Sequence, residues 1–261
     1  MDLGLKGKTA LVLGAGGGLG SAIAATLAAE GAKVALGDID LAAAGAVAER
    51  IAAVGGEAMA LKFDLSDLAG IDARIAEIEA KLGPVDVLVN NTGGPPPTPA
   101  AGQDPALWAK SFNDMVLSVI AIADRVLPGM RARKWGRIIT STSSGVVAPI
   151  PNLAISNALR LSLVGWSKTL SREVARDGIT ANIVLPGRIA TDRIKFLDAK
   201  KAERESRTVE EVAAESTATI PVGRYGDPQE YANVVAFLAG TPSSYVNGSV
   251  IRVDGGLIAS I

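Results

Sequence analysis

The sequence contains no cysteine and no histidine among its 261 residues. These two absences exclude disulfide bonds, thiolate nucleophiles, Ser-His-Asp triads, imidazole bases and the usual ligands of zinc. Carboxylates could still bind Mg²⁺, but no cluster of acidic residues indicates such a site, so we expect no metal. Composition alone thus removes most of the familiar nucleophiles, bases and metal ligands.

An excess of charge is also missing, since 26 Lys and Arg residues face 27 Asp and Glu residues. This balance gives no electrostatic footprint for nucleic acid or an anionic membrane, and it favours a small-molecule substrate. Met1–Thr9 does not resemble a secretion signal. The most apolar internal stretch, Val116–Leu127, is broken by polar residues and is shorter than the roughly 18 residues of a membrane span. We expect a cytoplasmic protein without nucleic-acid or membrane partners.

Apolar, β-branched runs alternate with longer stretches of helical periodicity along the whole chain. This alternation predicts repeated βαβ units, and therefore an α/β domain with a parallel sheet covered by helices on both faces. One domain over residues 1–261, with seven strands and about six helices, accounts for the length. The predicted strands are Thr9–Leu13, Lys33–Gly37, Ala58–Phe63, Val85–Val89, Arg137–Ser141, Thr180–Leu185 and Val250–Val253.

Three segments between these strands have a distinct character. Leu19–Glu30 carries apolar residues four apart and is followed by Gly31, which predicts a crossover helix. Gly93–Gly102 contains four prolines and must be a loop at the carboxyl edge of the sheet. Thr191–Thr219 is densely charged, and it is either a solvated helical excursion or a mobile lid over a substrate.

A glycine cluster directly follows the first predicted strand. The segment GAGGGLG places Gly14, Gly18 and Gly20 in a G-x-x-x-G-x-G register, and a helix opens behind them. Glycines there let backbone N–H groups approach a pyrophosphate, whose charge the helix N-terminus favours. The second strand ends at Asp38, about 20 residues onward, where a carboxylate accepts hydrogen bonds from an adenosine ribose. The pattern predicts a Rossmann-type, doubly wound nucleotide-binding fold in which Leu19 also belongs to the cofactor site.

Asp38 bears on the choice between the two nicotinamide cofactors. A carboxylate at the ribose repels the 2′-phosphate of NADP, and no Arg or Lys stands within the glycine loop to offset that repulsion. We therefore expect NAD, with NADP less favoured.

Further motifs, in their order along the chain, resemble those of the short-chain dehydrogenase/reductase family, and the likeness covers nearly the whole sequence. NNTG at the end of the fourth strand looks like the family's Asn-Asn-Ala-Gly, FDLSD carries the aspartate placed beside the adenine, and LPGRIAT resembles the Pro-Gly motif on the nicotinamide side. The C-terminal segments VGRYGDPQEYANVVAFLAG and NGSVIRVDGG look like the bacterial 3-oxoacyl carrier-protein reductase branch. The cofactor-binding residues that this resemblance implies are Asp64, Leu65, Asn91, Gly93, Pro186, Gly187, Ile189 and Thr191.

The same resemblance implies a strand order of 3-2-1-4-5-6-7 and a homotetramer. The helices around Leu107–Met130 and Leu153–Asp177 carry the apolar residues expected at one of its interfaces.

The catalytic residues depart from the family's Asn, Ser, Tyr and Lys. Ser143 occupies the serine position, but thirteen residues later the chain has Ser156 in place of Tyr, and four residues further it has Arg160 in place of Lys. The asparagine position holds Met115, and Asn113 would face elsewhere on a helix. A serine hydroxyl is a far weaker acid than a phenol, so Ser156 can polarise an oxygen but cannot readily act as a general acid.

Other groups could compensate for the missing proton donor. Tyr225 would reach the pocket if the charged segment closes over it, and Arg188 and Arg193 could bind an acidic substrate or simply be solvated. Arg160 could hold ribose hydroxyls, stabilise an oxyanion or form a surface salt bridge.

Three functional hypotheses follow. The first is an NAD-dependent oxidoreductase of an alcohol or carbonyl, in which Ser143, Ser156 and Arg160 orient and polarise the oxygen. The second is a non-redox enzyme on the same scaffold, as in halohydrin dehalogenases, which lose the glycine loop and keep the tyrosine. The third is a catalytically impaired NAD-binding protein, for example one that assembles with an active relative.

Overall fold

The structure, a computed structural model, describes residues 1–261 and contains one seven-stranded sheet in which every neighbouring pair of strands is parallel. The strand order is β3-β2-β1-β4-β5-β6-β7, which confirms the expected order. The strand ends lie within one residue of those expected from the sequence. The strands are β1 (Thr9–Leu13), β2 (Lys33–Asp38), β3 (Glu57–Lys62), β4 (Val85–Asn90), β5 (Gly136–Ser141), β6 (Ile179–Pro186) and β7 (Val250–Val253).

The chain contains nine α-helices, more than the six or so that the sequence pattern predicted. A π-helical turn over Asn113–Leu117 joins the fourth and fifth helices, and short 3-10 turns lie elsewhere. The helices are α1 (Gly18–Ala29), α2 (Leu41–Ala53), α3 (Ile71–Leu82), α4 (Pro105–Phe112), α5 (Ser118–Arg133), α6 (Ala154–Val174), α7 (Asp192–Glu205), α8 (Val209–Ala218) and α9 (Pro228–Ala239).

The sheet separates two apolar cores because side chains alternate between its faces. One core joins the strands to α1, α2 and α9, with Ile23, Val47 and Val235 fully buried. The other joins them to α3, α5 and the C-terminal half of α6, where Ile75 and Ile122 are inaccessible to solvent. Each such side chain contributes roughly 1.5–3 kcal/mol by leaving water. Helices on both faces confirm the doubly wound, Rossmann-type class.

The apolar helical segment 105–133 differs from the expectation drawn from the sequence. By length and a mean hydropathy of 1.3, it is apolar enough to cross a membrane, whereas Val116–Leu127 alone is shorter than a span and broken by polar residues. Its buried residue Val119 packs into a small apolar cluster formed with α6. Ile122 and Val126 pack into the core that α3, α5 and α6 form with the sheet. A core helix of an α/β domain passes the same test.

The charged segment after β6 folds into α7 and α8, which pack against each other. Thr191 caps α7 by accepting a hydrogen bond from the Ile194 N–H, and Thr208 with Glu211 forms a capping box at the start of α8. These caps satisfy backbone donors that would otherwise be unpaired. The two helices rise from the carboxyl end of β6, so this excursion begins at the edge of the sheet where the candidate site lies.

Candidate active site

A cleft of about 470 Å³ opens at the carboxyl edge of the sheet. Parallel α/β sheets bind ligands at this edge, where the strand order reverses between β1 and β4. The cleft brings together six of the residues that the sequence assigned to a cofactor: Gly14, Asp38, Asp64, Leu65, Asn91 and Gly93.

The glycine loop is built by close backbone approach. Gly14 and Gly18 have φ angles of +60° and +53°, in the left-handed region that favours glycine. A Cβ at Gly20 would lie 1.9 Å from the carbonyl oxygen of Gly14, so no side chain fits there. The N-cap residue of α1, Gly17, offers no side chain to the first-turn N–H groups, which include that of Leu19. These donors therefore remain available to an anion at the helix N-terminus.

Asn91 ties the loop to the end of β4. Its Nδ2 donates to the carbonyl oxygens of Leu13, at 3.2 Å, and Gly14, at 3.3 Å. The neighbouring Asn90 is fully buried, and its Nδ2 donates to Thr140 Oγ1 at 3.2 Å. The two amides hold the ends of β1, β4 and β5 in one arrangement.

Asp38 ends β2 and turns its carboxylate toward the glycine loop. Oδ2 accepts from the Gly16 N–H at 2.8 Å, and Oδ1 accepts from the Asp40 N–H at 2.9 Å. Lys110 is the only cation among the residues that line the cleft, and it lies 2.6 Å from Asp114. The charge of Asp38 thus meets backbone donors but no cation.

Asp64 and Leu65 form the neighbouring wall, where β3 ends. Asp64 Oδ1 accepts from both the Oγ and the N–H of Ser66, at 2.7 and 2.8 Å. These two hydrogen bonds lower the pKa of the Asp64 carboxyl, which is ionised at neutral pH.

The Pro-Gly segment after β6 does not line the cleft. Ile189 is buried against the segment before α9 and forms a bridge with Gly226, while Gly187 packs on Asp254. Pro186 completes β6, and Thr191 faces the glycine loop, with its Cγ2 3.6 Å from where a Cβ of Gly18 would lie. Of the four residues in this motif that the sequence assigned to the cofactor, only Thr191 therefore approaches the glycine loop.

Ser156 and Arg160 contact each other one turn apart on α6. Arg160 Nε donates to Ser156 Oγ at 3.3 Å, so the Ser156 hydroxyl proton is free to point at a ligand. The guanidinium also donates from Nη2 to the carbonyl oxygens of Thr92 at 3.1 Å and Gly93 at 2.8 Å, and from Nη1 to that of Ser141 at 3.4 Å. Arg160 thus crosslinks α6 to the ends of β4 and β5, and it is not in a surface salt bridge.

Ser143 follows β5 and begins a 3-10 turn. Its Oγ accepts from the Gly145 N–H at 3.1 Å, which leaves its own proton available. Four buried polar atoms near the ends of β4 and β5 and on α6 have no protein partner: Asn90 Oδ1, Thr92 Oγ1, Thr142 Oγ1 and Asn157 Oδ1. Buried polar groups are normally satisfied by protein, water or ligand, and no sequence motif pointed to these atoms.

Arg160 has no carboxylate partner although it is only 8% exposed. Burial, with a contribution from the nearby Arg193, lowers the pKa of Arg160 to about 10, and the group remains a cation at neutral pH. Arg193, on the first turn of α7, donates to the carbonyl oxygen of Pro95 at 2.9 Å. By contrast, Arg188 forms an ion pair with the buried Asp198 at 2.7 Å, so the two arginines that the sequence left open have different roles.

None of the three tyrosines can replace the missing phenol. Tyr225 donates to Asp198 Oδ2 at 2.6 Å, and burial together with this hydrogen bond raises the pKa of its phenol. Tyr231 is fully buried and donates to Ser141 Oγ, and Tyr245 is fully exposed. The hypothesis that Tyr225 supplies a proton is therefore not supported by its position.

Met115 lies within the π-helical turn and is buried in the small cluster formed with α6, although it also borders the cleft. Asn113 is exposed, as expected from its place on the helix. The pair of Lys110 and Asp114 at the rim was not noted in the sequence, although its i,i+4 spacing was visible. No Asn or Gln side chain from α4 or α5 forms a hydrogen bond with Ser143 or Ser156.

Comparisons with known proteins agree with this geometry. A family described as enoyl-(acyl carrier protein) reductase matches residues 14–258. The 3-oxoacyl-(acyl-carrier-protein) reductase of Escherichia coli is 37% identical over 257 residues, covering 98% of this chain and 99% of the relative.

Among solved structures, L-sorbose reductase from Gluconobacter frateurii, complexed with NADPH and L-sorbose, superposes with a TM-score of 0.94 at 29% identity over the full length of both chains. A putative NAD(P)-dependent gluconate 5-dehydrogenase from Beutenbergia cavernae with bound NADP gives a TM-score of 0.90 at 35% identity, again over all of both chains. Sequence identity, coverage and fold all lead to one conclusion: the chain belongs to the short-chain dehydrogenase/reductase family of oxidoreductases.

Proposed function

We propose that this protein is an NAD-dependent oxidoreductase of an alcohol or carbonyl substrate, in which Ser143, Ser156 and Arg160 orient and polarise the reacting oxygen. The single observation that carries the proposal is the contact between Ser156 Oγ and Arg160 Nε. It leaves a hydroxyl donor beside a buried, uncompensated cation, and that cation donates to the carbonyl oxygen of Gly93, which lines the cleft. The cleft and the glycine loop fit a dinucleotide, which when bound would supply or accept the hydride.

The chemistry available to the chain at this site is electrostatic. Ser143 and Ser156 can each donate a hydrogen bond to a substrate oxygen, because both hydroxyl oxygens accept from protein donors and keep their protons free. The charge of Arg160 favours negative charge on that oxygen or on Ser156 Oγ as the proton moves. The chain has no histidine or cysteine, and none of the three tyrosines is placed at this site to act as general acid, so the proton would come from water.

We expect this route to be slower than the usual one. General acid–base catalysis contributes about 10²- to 10⁴-fold in rate, and most of that factor is missing without a matched acid. The site therefore favours a substrate whose oxygen is already activated, and it disfavours generic ketones. The hypothesis of a catalytically impaired NAD-binding protein differs from this proposal only in that it expects no turnover of any substrate. The non-redox alternative is disfavoured because the glycine loop, which dehalogenases of this type lose, is fully built.

NAD is proposed over NADP because of Asp38. Both solved relatives described above contain the phosphorylated cofactor, so the comparisons lean toward NADP. In this chain the Asp38 carboxylate is fixed beside the glycine loop, and the cleft's single cation is paired with Asp114. A 2′-phosphate would meet repulsion there with no compensating charge.

A homotetramer and a cytoplasmic location complete the proposal. The outer faces of the α4–α5 segment and α6 expose large apolar side chains, including Phe112 at 42% and Leu161 at 52%. Trp108 and Trp166 are partly buried beside them. An exposed apolar face of this kind is typical of an interface between copies of a chain.

The test of the function combines binding and turnover. In a titration, bound NADH should quench the protein's tryptophan fluorescence or show an increase in its own fluorescence. A screen should give at least one conversion, either a ketone reduced with NADH or an alcohol oxidised with NAD. NADH binding without any conversion would leave the binding-protein hypothesis. Failure to bind either dinucleotide would refute the assignment of the cleft.

A further inference from the structure

Two arginines, Arg160 on α6 and Arg193 on α7, approach each other at Gly94, and Arg160 also contacts Ser156. The Nη2 atom of Arg193 lies 3.2 Å, and that of Arg160 3.7 Å, from the position that a Cβ on Gly94 would occupy. Both guanidinium groups donate to carbonyl oxygens of the loop after β4, Arg160 to Thr92 and Gly93 and Arg193 to Pro95. The lack of a side chain at Gly94 gives both groups room.

Neither arginine is neutralised by the protein. The ion pairs of the chain include neither Arg160 nor Arg193, although most of its other arginines have a carboxylate partner. Burial lowers the pKa of each guanidinium, and the two cations repel each other. Partly buried charges are normally paired, so two neighbouring cations without a counter-ion form a candidate site for an anion.

The donors that remain define what can bind. Arg160 uses four of its five N–H groups on Ser156, Thr92, Gly93 and Ser141, so it contributes mainly its field. Arg193 makes one hydrogen bond, to Pro95, and therefore keeps a fork of N–H groups for a planar or tetrahedral oxyanion.

We propose that Arg193, supported by Arg160, binds an oxyanionic group of the substrate, a carboxylate or a phosphate, next to the carbonyl or alcohol that Ser143 and Ser156 contact. This inference rests on the proposed function for the identity of the reacting oxygen, but the anion site itself does not require turnover. It assigns the substrate to the oxo acids, hydroxy acids or phosphorylated ketones and alcohols.

The experiment uses two matched pairs of probes with the purified protein. Acetoacetate is compared with its ethyl ester, and dihydroxyacetone phosphate with dihydroxyacetone, by calorimetric titration in the presence of saturating NAD and, separately, without cofactor. A charge-assisted contact with Arg193 should make one or both anions bind about 10- to 100-fold more tightly than the neutral partner. The pair that discriminates identifies the source of the oxyanion.

Three variants locate the effect. Arg193→Gln should reduce the discrimination to within a few-fold, and Arg193→Lys, which keeps the charge without the fork, should retain part of it. Lys195→Gln is the matched control, because Lys195 lies on the same helix, carries the same charge and contacts only the exposed Asp192. Thermal denaturation of each variant verifies that the fold is intact.

The outcomes separate the two proposals. Equal binding of both members of both pairs by the native protein, or unchanged discrimination in Arg193→Gln, would overturn the anion site even if neutral ketones are reduced. Anion binding that depends on Arg193 without turnover of any substrate would support the site while removing the proposed reductase activity.

Discussion

The packing of Gly20 against Gly14 gives a prediction whose size follows from the structure. In Gly20→Ala the new Cβ would lie 1.9 Å from the Gly14 carbonyl oxygen, 2.6 Å from its carbon and 3.0 Å from Ala15 Cα, all of them backbone atoms. Overpacking of a close contact costs about 1–3 kcal/mol, and a backbone clash belongs at the upper end of that range. Replacing glycine by alanine in a helix recovers up to ~1 kcal/mol. We expect a net loss of about 2 kcal/mol.

Gly17→Ala is the matched control in the same loop. No atom lies within 4 Å of a Cβ built there, and its φ of −165° is extended backbone that any residue adopts. Its cost should stay below about 1 kcal/mol, the range of N-cap effects.

Thermal denaturation and NADH titration measure both variants. A loss of about 2 kcal/mol corresponds to a fall in Tm of about 4–8 °C for Gly20→Ala, with little change for Gly17→Ala. The displaced loop should also weaken NADH binding by about 10-fold or more in Gly20→Ala, because its N–H groups no longer converge. Equal melting temperatures for the two variants would show that the glycine loop is not packed as described.

Four further predictions address the cofactor, the chemistry and the assembly. Asp38→Ala should narrow the preference for NADH over NADPH by removing the repulsion of the 2′-phosphate, and native protein that binds NADPH as tightly as NADH would contradict the assignment. The double variant Ser156→Tyr with Arg160→Lys should raise the rate of NADH-dependent reduction of generic ketones, and adding Met115→Asn should raise that rate further. The affinity of each variant for NADH should stay within a few-fold of the native value. Native turnover at ordinary family rates, about 1 to 10³ per second, would refute the argument that the site lacks a general acid. Tyr225→Phe should leave the pH profile of any turnover unchanged, because the Tyr225 phenol donates to the Asp198 carboxylate outside the cleft. Loss of one limb of that pH profile in the variant would instead identify Tyr225 as the proton donor. Light scattering at micromolar concentration should give the mass of a tetramer, whereas a monomer alone would exclude it.

The sequence by itself determined the features that depend on local patterning. The strands were predictable to within a residue because buried parallel strands are continuous apolar runs, and the glycine loop because G-x-x-x-G-x-G after a strand has few other uses. Asp38 was identified by its position at the end of the second strand, whereas Asp64 and Asn91 were identified by the resemblance of FDLSD and NNTG to motifs of the family. The replacement of Tyr and Lys by Ser156 and Arg160 was also visible, because the family's spacing, counted along the chain from Ser143, needs no tertiary information.

Tertiary structure alone decided how the charged and polar side chains pair. Arg188 and Arg193 are equivalent in the sequence, yet the first is neutralised by Asp198 and the second reaches Pro95, 98 residues away. The same applies to Arg160, whose acceptors in the loop after β4 lie 67 and 68 residues earlier. A long side chain on a loop or helix end can reach several partners, and its choice depends on distances of a few ångströms between elements that no local pattern encodes. The approach of Arg160 and Arg193 at Gly94 is therefore determined by the tertiary fold, whereas the glycine loop is determined by the local sequence.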